Sequence, residues 1–225
     1  MAVAGDDAIV QEPIFEIIVK RLRADIIRGV YAPGAPLRMQ DIADKYGTSL
    51  MPVREALHRL TSEELVVMHP RRGATVYPFD SKKAREVYDL RKVLMGHAAR
   101  LAVPRITPED FRVLEGLIDA MDATIGDAAV DMVRYLDLND QFHKRLYGPC
   151  GNETLIKMIT QLDNFARMSM HRYFNSPAAL RQFNEEHRDI LAALRSGNSA
   201  RVEELVARHY EKSVDDLVVA MNRQH

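Results

Sequence analysis

Cysteine is almost missing from this chain. Cys150 is the one thiol in 225 residues, which excludes an intrachain disulfide and suits a reducing, cytoplasmic setting. Net charge is almost missing too. Against 32 Asp and Glu stand 31 Lys and Arg, so bulk electrostatics do not announce a nucleic-acid binder. From Pro13 to Tyr77 ten basic side chains face seven acidic ones, an asymmetry too mild to carry weight. No apolar run has the length of a membrane span, and no secretory leader is recognisable. Solenoid repeats and low-complexity tracts are absent. What remains is ordinary globular material: 47% hydrophobic residues for buried cores and 28% charged residues for a solvated surface. The length suits two modest domains rather than one.

The most informative stretch is Thr48 to Leu60. Val53, Ala56, Leu57 and Leu60 recur at helical spacing and predict one apolar face. Arg54, His58 and Arg59 fall away from it. Ser49 stands where an N-cap hydroxyl would accept from an orphan N–H. Pro52 is tolerated only in the first turn, where its missing N–H costs nothing. Upstream, Met39 to Tyr46 reads as a second short amphipathic helix. Gly47 after it suits a left-handed C-cap. Helix, glycine turn, helix is a helix-turn-helix pattern. Downstream, Leu65–His69 and Ala74–Tyr77 read as strands joined by Pro70-Arg71-Arg72-Gly73, a wing with two arginines at its tip.

The run from Gly29-Val30-Tyr31-Ala32-Pro33-Gly34 to Leu37, then Ile42-Ala43, then Pro52 to Leu60, then Arg72-Gly73-Ala74-Thr75-Val76, resembles the winged helix of GntR-type bacterial transcription regulators. A double-stranded, pseudo-palindromic operator is the partner this implies, read by a homodimer. Arg38, Arg71 and Arg72 are candidates for phosphate or minor-groove contacts, and Gly73 lets the wing backbone come close. Thr48 and Ser49 can donate to phosphate. Arg54 is the candidate for base readout, by guanidinium to guanine, with an intradomain salt bridge as the alternative. Leu50 and Met51 depart from the family, where Arg and Thr are common. A DNA contact is lost there or replaced by apolar contact with a thymine methyl.

The rest of the chain predicts an antiparallel helical bundle, so the fold class is mainly α: an N-terminal winged helix-turn-helix domain plus a C-terminal helical bundle. The expected divisions are a flexible arm over 1–12, a DNA-binding domain over 13–78 and an effector-binding, dimerisation domain over 79–225. Ser81 is a candidate cap for the first bundle helix, whose apolar positions include Val87, Leu90, Leu94, Ala98 and Leu101. Further helices are expected over about 107–121, 128–147, 153–173, 177–195 and 200–221, broken by Pro104, by Gly148–Asn152, by Asn175-Ser176 and by Ser196-Gly197-Asn198.

Asn139 and His143, four apart, share a helix face. His187 and His209 sit mid-helix elsewhere. Facing helices of a bundle can bring such groups to one interior point, and imidazole-rich ligation suits Zn or Ni. A single helical histidine is more often a packed or surface residue. Asp140-Gln141-Phe142-His143, Glu186-His187-Arg188 with Leu194 to Asn198, and Arg208-His209 resemble the ligand-binding domain of the FadR branch of GntR regulators. The resemblance implies that Asn139, His143, His187 and His209 hold a divalent metal ion, with a small organic acid bound beside it. Asn139 stands where many members carry Asp, and Met95 where relatives carry Glu. Arg91 resembles an arginine near the effector pocket and can grip a carboxylate in bidentate fashion; a solvated helix face or an interdomain salt bridge is its alternative. His97, on the first bundle helix, is a pocket candidate with packing as its alternative, and Arg134, Arg167 and His171 are looser pocket candidates. The first and fourth bundle helices are candidates for the dimer surface. A metal-dependent hydrolytic enzyme and a pure metal sensor are the competing functions, with a non-enzymatic regulator preferred.

Overall fold

The computed structural model describes residues 12–78, 80–126, 129–174 and 176–222. The expected arm lies outside the described residues except for Glu12, as do Phe79, Ala128 and Asn175 at expected element boundaries. In chain order the elements are α1 (Ile14–Ile27), β1 (Pro36–Leu37), α2 (Met39–Tyr46), α3 (Leu50–Ser62), β2 (Val66–His69), β3 (Gly73–Val76), α4 (Ser81–Ala102), α5 (Pro108–Ala123), α6 (Met132–Tyr147), α7 (Glu153–Tyr173), α8 (Pro177–Arg195) and α9 (Ser199–Asn222). They form two compact units. The first ends at Tyr77; the second takes Pro78 onward together with Ile27–Val30.

In the first unit, α2 stops at Gly47, whose φ of 61° and ψ of 42° are left-handed, and whose N–H reaches Ala43 O and Asp44 O. The chain then turns directly into α3. Val53, Ala56, Leu57 and Leu60 are all fully buried, so the apolar stripe read from spacing is the buried face. Ser49 holds the N-cap position with extended backbone, yet its side chain makes no capping bond. Pro52 contributes to this. It occupies the third helical position, one of the two amides a cap oxygen would use, and has no N–H to give. The wing is a three-stranded antiparallel sheet in the order β1-β3-β2, with Leu37 opposite Ala74 and His69 opposite Gly73. Two residues are too few to show alternation, so β1 left no signal in the sequence.

Among the described residues the second unit is a bundle of six α-helices. Its helix starts are chemically defined. Thr107 and Asp110 form a reciprocal capping box on α5, and Asn152 Oδ1 accepts from Leu155 N at 3.0 Å on α7. Two starts differ from expectation. Asp80, not Ser81, caps α4 by accepting from Lys83 N at 2.8 Å. Asp131 caps α6, which therefore begins at Met132 rather than near 128. The buried face of α4 is also rotated from the expected one. It runs through Ala84, Val87, Tyr88, Arg91, Met95, Ala98, Ala99 and Ala102, whereas Leu90 is 56% exposed. The reason is close packing of α4 on α9. A Cβ placed on Gly96 would lie 3.2 Å from the Glu203 carbonyl oxygen, so small residues mark this contact and large ones are displaced from it.

Candidate functional site

His143 on α6, His187 on α8 and His209 on α9 all lie on the buried stripes of their helices. One donor nitrogen from each falls within 4.8 Å of the others. Their ring centroids are 4.8 to 5.6 Å apart. Phe142 lies against the His187 ring at 4.4 Å between centroids, and Phe183 meets His209 edge-on at 5.8 Å. Burial holds the His143 and His187 imidazoles well below their ordinary pKa, with the neighbouring imidazoles adding to the effect. Both are therefore neutral and keep lone pairs, as metal ligation requires.

The hydrogen bonds around the rings define their roles. His209 Nδ1 donates to Glu186 Oε2 at 2.7 Å. A carboxylate only accepts, so a proton sits on Nδ1, and Nε2 is the nitrogen left to face an ion. Glu186 also accepts from Lys212 Nζ at 2.5 Å. Burial alone would raise the Glu186 carboxyl, but the bonds from His209 and Lys212 outweigh it and hold it below the usual range. His143 Nδ1 lies 3.2 Å from the Tyr210 hydroxyl, and burial raises that phenol so that it stays protonated. His187 is different. It is 0% exposed, and neither ring nitrogen has a hydrogen-bond partner. A buried polar group left in that state costs about 1–3 kcal/mol. Three converging imidazoles, one of them with no protein partner, fit a divalent ion.

Asn139 and Arg91 line the same cavity as His143, His209 and Tyr210, alongside Phe183, Met170 and Ser213. Its free space is about 20 Å³, room for about one water-sized body. Asn139 makes no side-chain hydrogen bond among the described residues and stands one turn from His143. Arg91 is 6% exposed and paired at 3.0 Å with Asp163 Oδ1, with Leu162 O accepting from it at 3.2 Å. Its guanidinium also lies 5.1 Å from the Tyr210 ring centroid. Burial works against the charge on Arg91, yet Tyr210 and Asp163 keep its pKa above the ordinary value. Arg91 Nε and Asp163 Oδ2 are both buried without partners. The salt bridge is thus within the bundle, not between domains, and it faces the cavity.

Four expected pocket residues are placed elsewhere. His97 is half-exposed, 4.0 Å from the Glu203 carboxylate, because the buried face of α4 passes through Ala98 and Ala99 instead. Arg134 is exposed in the first turn of α6, ahead of the stripe that carries Asn139 and His143. Arg167 spans Asp137 at 2.6 Å and Asp140 at 2.8 Å, an ion-pair cluster outside the cavity lining. His171 is partly exposed and does not line the cavity either. Asp163, Tyr210 and Glu186 join the site although the sequence singles none of them out as a site residue. Asp163 had a legible signal: it falls on the apolar row Leu155, Ile159, Ala166 of α7. Glu186 had none, because its partner lies across the bundle.

The candidate DNA face belongs to the first unit. Arg38, Ser49, Arg54, Arg71 and Arg72 are exposed, and Thr48 and Gly73 are partly so. Arg54 has no ion pair among the described residues. At the wing tip, Arg71 has φ of 63° and Gly73 φ of 86°. For Arg71 this left-handed backbone is uncommon; for Gly73 it is free of strain.

Comparison with known proteins covers both units. Residues 15–76 match "Bacterial regulatory proteins, gntR family", and residues 86–212 match the FCD domain. The HTH-type transcriptional repressor GlaR of Escherichia coli K12 is 29% identical over 196 residues, covering 84% of this chain and 88% of its own. The HTH-type transcriptional regulator McbR of the same strain is 29% identical over 206 residues, covering 90% and 91%. The solved structure of E. coli McbR/YncC superposes with a TM-score of 0.78 at 25% identity, over 96% of this chain and 100% of that one.

Proposed function

The chain belongs to the GntR family of bacterial regulatory proteins and carries an FCD domain, and on that premise we propose that a divalent ion and a small carboxylate set its hold on an operator. It is a DNA-binding transcriptional regulator. The finer reading rests on one observation above all: His187 is wholly buried with two unpartnered ring nitrogens, beside two more imidazoles. His143, His187 and His209 are the ion's nitrogen ligands, Asn139 its oxygen ligand, and Zn or Ni the ion such donors favour. The ion would supply the positive charge that a carboxylate needs in a dry cavity. Glu186 fixes the His209 tautomer, and Tyr210 orients His143. Arg91 is the carboxylate's second partner, exchanging Asp163 for it.

Residues 13–78 are assigned to DNA and 79–225 to sensing and dimerisation. Arg54 reads a base; Arg38, Thr48, Ser49, Arg71 and Arg72 take phosphates or the minor groove; Gly73 allows the backbone to approach. A homodimer on a pseudo-palindrome is the assembly. Leu90 and Val93 on α4 and Met158 on α7, all exposed, support it by lying on the first and fourth bundle helices. Repression is the output we assign, on the likeness to GlaR. The cytoplasm is the setting that operator binding requires.

The test is thermal unfolding of metal-loaded and metal-stripped chain against a panel of small carboxylates. A ligand at 100 times its Kd adds about 2.7 kcal/mol. Stabilisation confined to the loaded chain is the expected result. If no carboxylate moves the melting point of loaded protein, the acid has no place in this reading.

One observation favours a second reading, in which the ion alone is the signal. The cavity's free space of about 20 Å³ takes little more than a water beside an ion, and Arg91 is already engaged by Asp163. Operator affinity that follows the ion with no acid present would establish it. Hydrolysis has no such support: no carboxylate lines the cavity among the described residues, and Glu186 is held by His209 and Lys212.

A further inference from the structure

The exposed side of α3 is not only cationic. Leu50 is 45% exposed and Met51 65% exposed, at the N-terminal end of the helix assigned to the groove. Nothing in the first unit's core needs them: Val53, Ala56, Leu57 and Leu60 fill the buried stripe alone. Helical spacing puts Leu50 one turn before Arg54, and Met51 three before Arg54 and seven before His58. All four side chains therefore share the solvent-facing side. Any docking that brings Arg54 to a base edge brings Met51 or Leu50 to a base edge as well.

Two apolar side chains can read only one feature of the major groove. Base edges there offer hydrogen-bond donors and acceptors, which an aliphatic chain leaves unpaired at a cost. The exception is the 5-methyl group of thymine. Ser49 sharpens the position. Its hydroxyl makes no bond to the helix start, where Pro52 withholds one of the two amides a cap would use, so it can anchor the helix start on a phosphate. We infer that Leu50 and Met51 determine operator specificity by contact with thymine methyl groups next to the base read by Arg54. This rests on α3 being the element that enters the groove.

Distance makes the inference narrower. Three residues of helix rise about 4.5 Å, against about 3.4 Å per base-pair step, so the thymine falls about one or two steps from the Arg54 base. A neighbouring guanine is the base a guanidinium prefers, so each half-site should pair a guanine with a thymine at that spacing.

The experiment starts with selection of duplexes from a random library by the full chain. Deoxyuridine then replaces thymine at the implicated position, which removes the methyl group and nothing else. Binding should weaken about fourfold per methyl, the value of burying one such carbon. The double variant Leu50→Ala, Met51→Ala should bind thymine and uracil operators alike, and its selected half-sites should lose the thymine. Arg54→Ala should weaken both operators equally. Unchanged affinity of the wild-type chain for the uracil operator, with Arg54→Ala still impaired, overturns the methyl contact alone. If Arg54→Ala is also without effect, α3 is not the reading element and the underlying assignment goes too.

Discussion

The two units use arginine in opposite ways. Arg54 stands in solvent with no ion pair among the described residues, while Arg91 is 6% exposed and tied to Asp163 at 3.0 Å. Arg54 keeps its hydration until a ligand arrives, so its contribution to stability is small and its contribution to binding is open to screening by salt. Arg91 has already lost its water, and its charge is matched by a carboxylate of the same chain. The first unit meets its ligand from outside with charge in reserve. The second holds polar groups whose needs the fold leaves partly unmet: His187 with two idle nitrogens, Arg91 Nε and Asp163 Oδ2. The lesson is that exposed chemistry here costs the fold nothing, whereas buried chemistry leaves a measurable debt that a ligand can settle.

The strongest way to break this comparison is Asp163→Asn. Removing one partner of a buried pair typically destabilises by about 3–5 kcal/mol, because the other charge is left unmatched. Chemical denaturation should report a loss of that order, partly restored by a small carboxylate that takes the vacated place on Arg91. A variant as stable as the parent would mean that Arg91 does not depend on Asp163.

Next comes His187→Leu, with the sign reversed. In the metal-stripped chain it should raise stability, by up to about 1–3 kcal/mol, by removing two unpartnered buried polar atoms. Elemental analysis of the same variant should find the bound ion gone. Loss of stability in the stripped variant would show that His187 is a packing residue.

The exposed arginines sharpen the other side. Arg54→Ala should cost about 1–3 kcal/mol on a selected operator and leave the salt slope nearly intact, while Arg72→Ala should weaken all sequences alike and reduce that slope by about 1. Fluorescence anisotropy over a salt series separates the two. Equal behaviour would place both on phosphates.

The smallest effect is expected at Asp110, away from both sites. Hydrogen bonds from Thr107, then Arg145, hold its carboxyl below its ordinary 3.8. Since the folded value is depressed, its stabilisation is present above the unfolded value and disappears as pH falls through the folded one. Asp110→Asn should cost about 1 kcal/mol at neutral pH, the worth of a cap, and show a flatter acid limb below pH 3.8. An unchanged acid limb would remove the capping box from the account.

How much of this was legible depends on the range of the interaction. The turn at Gly47, the stripe from Val53 to Leu60 and the Thr107 start of α5 are set by neighbours within a few residues. Local spacing and cap chemistry therefore revealed them. The rotated face of α4 was not legible, because it answers to Gly96 meeting Glu203 more than a hundred residues away. Leucine at 90 looked inward by size, while alanines at 98, 99 and 102 won the contact by being small. His97 was misplaced for the same reason.

By itself the sequence determined which segments become helices, which face of α3 turns inward, and that three histidines sit on three different helices. Those are consequences of periodicity along one strand of covalent chain. Only the tertiary structure decided that the histidines converge, that His187 is left without a partner, that Glu186 fixes His209, and that Asp163 claims Arg91. Each of those depends on how helices far apart in the chain are rotated against one another, and rotation is fixed by packing, which no local pattern encodes.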